Sequence, residues 1–140
     1  MAAQTFAIEF DGYWREPHKS DLPAKSGIYC VYSAVFDAQA KTVSLKKLIY
    51  IGESEDVQAR VANHEKLPDW QGHLKSGEVL SYSFGPVASA NRVRCEAAMI
   101  FEHKPPVNSE YTAAFPFDQT RINLSGKTAL LHTSFTVQRT

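Results

Sequence analysis

Tyr29, Tyr50, Arg60, His64 and Glu96 are the side chains of this sequence whose types and spacing could do chemistry. Arg60 and His64 fall on the stripe marked by Val57 and Val61 in EDVQARVANHE, the side a helix turns toward its core. Glu96 stands three residues after Val93 and four before Ile100 in RVRCEAAMIFEH, again on an apolar stripe. Burying an arginine without a partner costs several kcal/mol, so something anionic must meet Arg60. A carboxylate on an inner stripe is either paired to an arginine or bound to a metal. The plain packing explanations are an Arg60–Glu96 ion pair, an arginine that snorkels from a rim position to water, and tyrosines that merely pack. Against these stands the convergence of two phenols, a guanidinium, an imidazole and a carboxylate, where local rules fail together.

The elements that must position these residues follow from the pattern. GIYCVYSAVF carries Tyr29 and VSLKKLIYIG carries Tyr50, both rich in β-branched and aromatic residues, with DAQAKT as the turn between them. An antiparallel hairpin makes the two tyrosines neighbours. Ser54 is the expected N-cap of the next helix, with Glu55 and Asp56 at its positive end, and the helix runs through VQARVANHEKL to Pro68. A short helical turn is expected around DWQGHLKSG. EVLSYSFGP alternates, with Val79, Ser81 and Ser83 on one face and Leu80, Tyr82 and Phe84 on the other. SANRVRCEAAMIFEHK is a helix with Val93, Ala97, Ile100 and Phe101 as its apolar stripe, stopped by Pro105 and Pro106. TFAIEF is a short strand, DGYWREPHKSDLPAKS an irregular connection, and TRINLSGKTALLHTSFTVQ a strand pair turning at Ser125-Gly126. This order predicts an α+β fold: a small central, mainly antiparallel β-sheet flanked by helices, with extra N- and C-terminal strands at its edges.

The whole chain sets limits on function. Its 140 residues suit one domain, and 44% hydrophobic with 21% charged residues is the composition of an ordinary globular protein. No run approaches the ~18 apolar residues of a membrane span, and MAAQTFAIEFDGYW lacks the regions of a secretory signal, so a cytoplasmic location without membrane contact is expected. Cys30 and Cys95 lie in apolar segments without zinc spacing and read as buried reduced thiols. Fifteen Lys and Arg balance fifteen Asp and Glu, which argues against gripping nucleic acid through bulk charge. Any such role must rest on local arrangement.

GIY at Gly27–Tyr29, YIG at Tyr50–Gly52, the helix with Arg60 and His64, and EAAMIFEHKPPVN at Glu96–Asn108 together resemble the GIY-YIG nuclease superfamily. The resemblance spans Gly27 to Asn108, the core of a single domain over 1–140 with extensions at 1–26 and 109–140. It implies a metal-dependent endonuclease that hydrolyses phosphodiester bonds of DNA. Glu96 would bind one divalent metal, Mg²⁺ first and Mn²⁺ as a substitute. Tyr29 would act as general base or position the attacking water, Tyr50 would support it, and Arg60 would contact the scissile phosphate. His64 would assist proton transfer or phosphate binding, Gly52 would let the backbone approach closely, and Asn108 would close the pocket through hydrogen bonds. Lys104, in the same segment, is expected at the substrate.

The chemistry of these residue types agrees with that expectation. A phosphodiester transition state gathers negative charge, which a fixed guanidinium and a metal stabilise. A phenol with a reference pKa of about 10 needs positive charge nearby to act as a base near neutrality. The other reading is a non-catalytic module that binds nucleic acid or protein on the same scaffold. Two departures from the family pattern bear on substrate contact: Glu53 follows YIG where many members carry a basic residue, and the Tyr29–Tyr50 spacer is longer than in repair-type members. Lys46, Lys47, Arg92 and Arg94 are the expected phosphate contacts, and specificity is expected from the chain's own loops and tail, a second copy in a homodimer, or a partner protein.

Overall fold

Runs of β-branched and aromatic residues become six strands in the computed structural model, which describes residues 2–140. They are β1 (Gln4–Arg15), β2 (Gly27–Asp37), β3 (Thr42–Ser54), β4 (Val79–Pro86), β5 (Thr120–Gly126) and β6 (Ser134–Val137). Three short α-helices join them: α1 (Val57–Ala62), α2 (Leu67–Gln71) and α3 (Arg92–His103). The strands form one mixed sheet in the order β3-β2-β4-β1-β5-β6. All neighbours are antiparallel except β1 and β5, which run parallel. The fold is α+β.

Helices cover both faces of the sheet. Cys95, Ala97, Ala98, Met99 and Ile100 of α3 share a core with Ile8, Phe10, Ile28, Cys30, Tyr32 and Ile51. On the other face Val57 and Val61 of α1 and Trp70 of α2 pack with Tyr29, Val31, Ile49, Leu80, Tyr82 and Phe84. The central strands β2 and β4 are therefore buried along nearly their whole length. Alternation in β4 separates two cores rather than a core from solvent, because a sheet covered on both faces has no wet side.

Several expectations need correction. The N-terminal strand is an inner strand, not an edge: it continues through Arg15, pairing first with β5 and then with β4. The parallel partner comes from the far end of the chain, a pairing no local pattern encodes. The β5–β6 connection turns at Gly126 (φ +80°) but β6 begins only at Ser134.

The helix expected to reach Pro68 stops at Ala62, so His64 does not lie on it. Its N-cap is Asp56, whose carboxylate accepts from the Ala59 amide at 3.0 Å, not Ser54. Ser54 instead organises the preceding turn through the Asp56 amide. Asn63 leaves helical geometry at the C-cap (φ −136°, ψ 60°). Pro68 then opens α2, because the first turn of a helix has no use for its missing N–H. On α3, Val93 is 44% exposed while Arg94 and Cys95 are buried, so the inward face is rotated from the stripe expected. Both cysteines are free and buried. Among the described residues no helix is long and apolar enough to cross a membrane.

Candidate active site

The β2–β3 register brings the two tyrosines together. Tyr29 lies opposite Gly52 and Val31 opposite Tyr50, with an irregularity beyond that pair where Leu48 meets Tyr32 and Ile49 is left over. Tyr29 and Tyr50 consequently share a face, their ring centroids 6.2 Å apart. A Cβ on Gly52 would sit 2.3 Å from both Cζ and Oη of Tyr29, so the phenol occupies the space a side chain would need. Glycine there is what lets Tyr29 lie across its partner strand.

Beyond the end of α1 the chain turns inward and buries His64, whose side chain is wholly hidden from solvent. Its Nδ1 accepts from the Lys66 amide at 3.1 Å, which places the proton of the neutral ring on Nε2. Nε2 lies 2.8 Å from Tyr29 Oη and donates to it. Trp70 backs the imidazole, the ring centroids 4.3 Å apart. Burial, aided by the charge of Arg60, pushes the His64 pKa down to about 4. Burial and the neighbouring Tyr50 push Tyr29 up from the ordinary phenol value, against a lowering by Arg60. The pair is a neutral imidazole donating to a neutral phenol.

Arg60 finds its anion nearby but not where expected. Its Nη1 and Nη2 donate to the two carboxylate oxygens of Glu65, each at 2.6 Å. The side chain is 36% exposed, a rim position rather than a core one. Arg60 holds the Glu65 carboxyl down at about 2. An Arg60–Glu96 ion pair, the simplest packing explanation for both residues, does not form.

Glu96 arrives from α3 and meets Tyr29, Tyr50 and Arg60 around a cavity of about 260 Å³, which Glu53, Val93, Glu110 and Tyr111 complete. Glu53 is engaged by Arg92 Nε at 2.7 Å. Burial first, then Glu53 and Glu110, push the Glu96 pKa up to about 8. No cation lies within ion-pair distance of Glu96 among the described residues. A carboxylate so placed would be relieved by a cation. Among the described residues no group of three or more His, Cys, Asp and Glu converges for a metal. Glu96 with Glu110 would offer the one or two carboxylates that a Mg²⁺ ion keeping most of its water takes.

The remaining expected residues lie outside the cavity lining. Asn108 faces the free edge of β3, where its Oδ1 accepts from the Ile51 amide and its Nδ2 donates to the Ile51 carbonyl, both at 2.9 Å. It takes the place of a neighbouring strand and fixes the segment that carries Gly52. Lys104 ends α3 in the left-handed conformation (φ 47°) and donates to the carbonyls of Phe101 and Thr112, away from the cavity lining. Arg92 is held by Glu53, Ser26 and Ser89. Arg94, expected at phosphate, is 5% exposed and binds Thr120, Gln4 and the carbonyls of Ala2, Asp118 and Gln119. It fastens the first strand to the fifth and is not a surface cation. Lys46 and Lys47 are exposed.

Glu65, Trp70, Glu110 and Tyr111 belong to the site without having been singled out from sequence. Glu65 carried a signal, an acid five residues past Arg60 and beside His64. Glu110 and Tyr111 lie in an irregular segment with no periodicity to read. Comparison with family models, with curated proteins and with solved structures gives no match to this chain in any of the three.

Proposed function

We propose that this chain is a metal-dependent endonuclease that hydrolyses phosphodiester bonds of DNA, on a scaffold arranged like that of the GIY-YIG nucleases. The observation that carries the reading is the meeting of Tyr29, Tyr50, Arg60 and Glu96 at one polar cavity, although they come from β2, β3, α1 and α3. Packing alone does not require those four polar types to converge.

Each residue has work that its geometry suits. Arg60 presents a planar fork that matches two phosphate oxygens as well as it now matches Glu65, and exchanges one anion for the other when substrate enters. Tyr29 is neutral and already accepts from His64, so its own proton and remaining lone pair orient the attacking water, in preference to acting as a general base. His64 fixes the direction of that phenol, and Tyr50 walls the cavity beside it. Glu96, with Glu110 beside it, would hold a Mg²⁺ ion, which when bound supplies positive charge to the phosphoryl oxygens. The free thiols of Cys30 and Cys95 accord with a cytoplasmic setting.

The occupied state of Arg60 favours a second reading, a non-catalytic module that binds nucleic acid or protein. Incubating supercoiled plasmid with the protein in Mg²⁺ or Mn²⁺ separates the two. Nicked or linear product supports the nuclease, and intact plasmid under both metals removes it.

A further inference from the structure

The chain has no net charge, but its cations differ in how they are held. Lys19, Arg60, Arg92 and Arg139 each sit in an ion pair, and Arg94 is buried. Lys46, Lys47 and Lys66 are among the several Lys and Arg that enter no ion pair among the described residues. These three gather on one side of the molecule. Lys46 and Lys47 lie on β3, the edge strand, and line a hollow of about 320 Å³. Lys66 lines an adjoining hollow of about 400 Å³, and Pro106 borders both. Lys47 Nζ donates to His73 Nδ1 at 2.9 Å, and His73 lines the second hollow, which ties the two together. Two carboxylates border the same surface, Glu102 held by His132 at 2.7 Å and Asp69 exposed, so the three lysines leave it net positive.

We infer that Lys46, Lys47 and Lys66 form a track for the phosphate backbone of a DNA duplex, leading from β3 toward the cavity at Tyr50. The inference rests on the nuclease reading and names how a chain with no net charge would hold its substrate. Both ends of the track lie close along the chain to residues of the site. Lys66 directly follows His64 and Glu65, and its amide is the one that sets the His64 tautomer. Lys47 precedes Tyr50 by three residues, about 10 Å along a strand, which equals roughly three nucleotides at about 3.4 Å of axis rise per strand. The track thus reaches phosphates flanking the bond at Arg60, where it contributes register and affinity but no chemistry.

The test measures binding of the full chain to a labelled duplex of about 20 base pairs between about 50 and 200 mM salt. It compares wild type, a triple variant (Lys46→Gln, Lys47→Gln, Lys66→Gln) and a control (Arg121→Gln, Lys127→Gln) on the distant β5 side. Turnover of a small phosphodiester, which needs the cavity alone, is measured in parallel. The track predicts that the triple variant weakens duplex binding at least about tenfold and lowers the log–log salt slope by about 2–3, while the control and the small-diester rate stay as in wild type. A triple variant with the wild-type slope overturns the track and leaves the nuclease reading standing. A wild type that neither binds duplex nor turns over the diester overturns both. Equal affinity of wild type for polyglutamate, lost in the same triple variant, overturns the track in favour of an acidic protein partner.

Discussion

The guanidinium of Arg60 and the carboxylate of Glu65 form a two-pronged ion pair, both hydrogen bonds 2.6 Å long. The fork assigned to a phosphate is therefore already filled by an anion of similar shape. Glu65→Gln removes the competing charge and is expected to lower the KM for a phosphodiester several-fold with little change in kcat. Arg60→Lys keeps the charge but loses the planar fork, and is expected to cost about 10²-fold in kcat/KM. Steady-state kinetics of the two variants decide the point. A Glu65→Gln variant as impaired as Arg60→Lys would mean that Glu65 positions Arg60 rather than competing for it.

Gly52 and Tyr29 cannot both keep their places if Gly52 gains a methyl group, since its Cβ would fall 2.3 Å from the phenol oxygen. Gly52→Ala is expected to destabilise the fold by about 1–3 kcal/mol and to break the Tyr29–His64 hydrogen bond. Urea denaturation reads the first effect and the NMR signal of the His64 ring proton the second. An alanine variant with wild-type stability and an unmoved His64 resonance would contradict the packing described.

Asn108 supplies Ile51 with both halves of a strand-like pairing. Asn108→Ala leaves that amide and carbonyl to water and is expected to cost about 1–3 kcal/mol. Asn108→Asp keeps the acceptor, loses the donor and sets a carboxylate against the Ile51 carbonyl, so it should be no better than alanine. Chemical denaturation of the pair checks the order.

The legible parts of this fold were those where neighbouring residues carry the information. The β2–β3 hairpin and α3 have strong composition or period, and through them Tyr29, Tyr50 and Glu96 were readable as one group. The end of α1 was not, because a stripe containing Arg60 and His64 continues past Asn63 without any change of period. The α3 face was misjudged by its ends: Val93 looks apolar but borders an open cavity, while Arg94 looks exposed but has carbonyls enough to be buried. The β1–β5 pairing joins residues more than a hundred positions apart, and no turn or spacing encodes it. Glu65 as the partner of Arg60 depends on the reversal of the chain after Ala62, which only the packed structure contains.

Glu96 and His64 give stability opposite dependences on pH. The folded-state pKa of Glu96 is raised to about 8, so the stability it contributes is complete below the unfolded carboxylate value and is lost as pH rises through 8. Glu96→Gln should therefore gain on wild type between about pH 5 and 9, by about 1–3 kcal/mol after allowance for partial exposure. His64 has its folded pKa lowered to about 4, so its contribution is complete above the unfolded value near 6.5 and is lost as pH falls through 4. Urea denaturation of wild type and Glu96→Gln from about pH 3.5 to 9 checks both limbs, the Glu96 limb in the difference between the proteins and the His64 limb in the fall they share at acid pH. A constant difference between the two proteins at every pH would contradict the assignment to Glu96.

The cavity joining Tyr29, Arg60 and Glu96 is proposed to cut phosphodiester bonds with a metal held at Glu96. The most direct measurement is single-turnover cleavage of a DNA duplex in Mg²⁺ by wild type and by the isosteric Glu96→Gln. Cleavage by wild type is expected, with a rate about 10²–10³-fold lower, or none, for a variant that is folded and at least as stable. Equal cleavage by the two proteins, or none by wild type, would contradict the proposal.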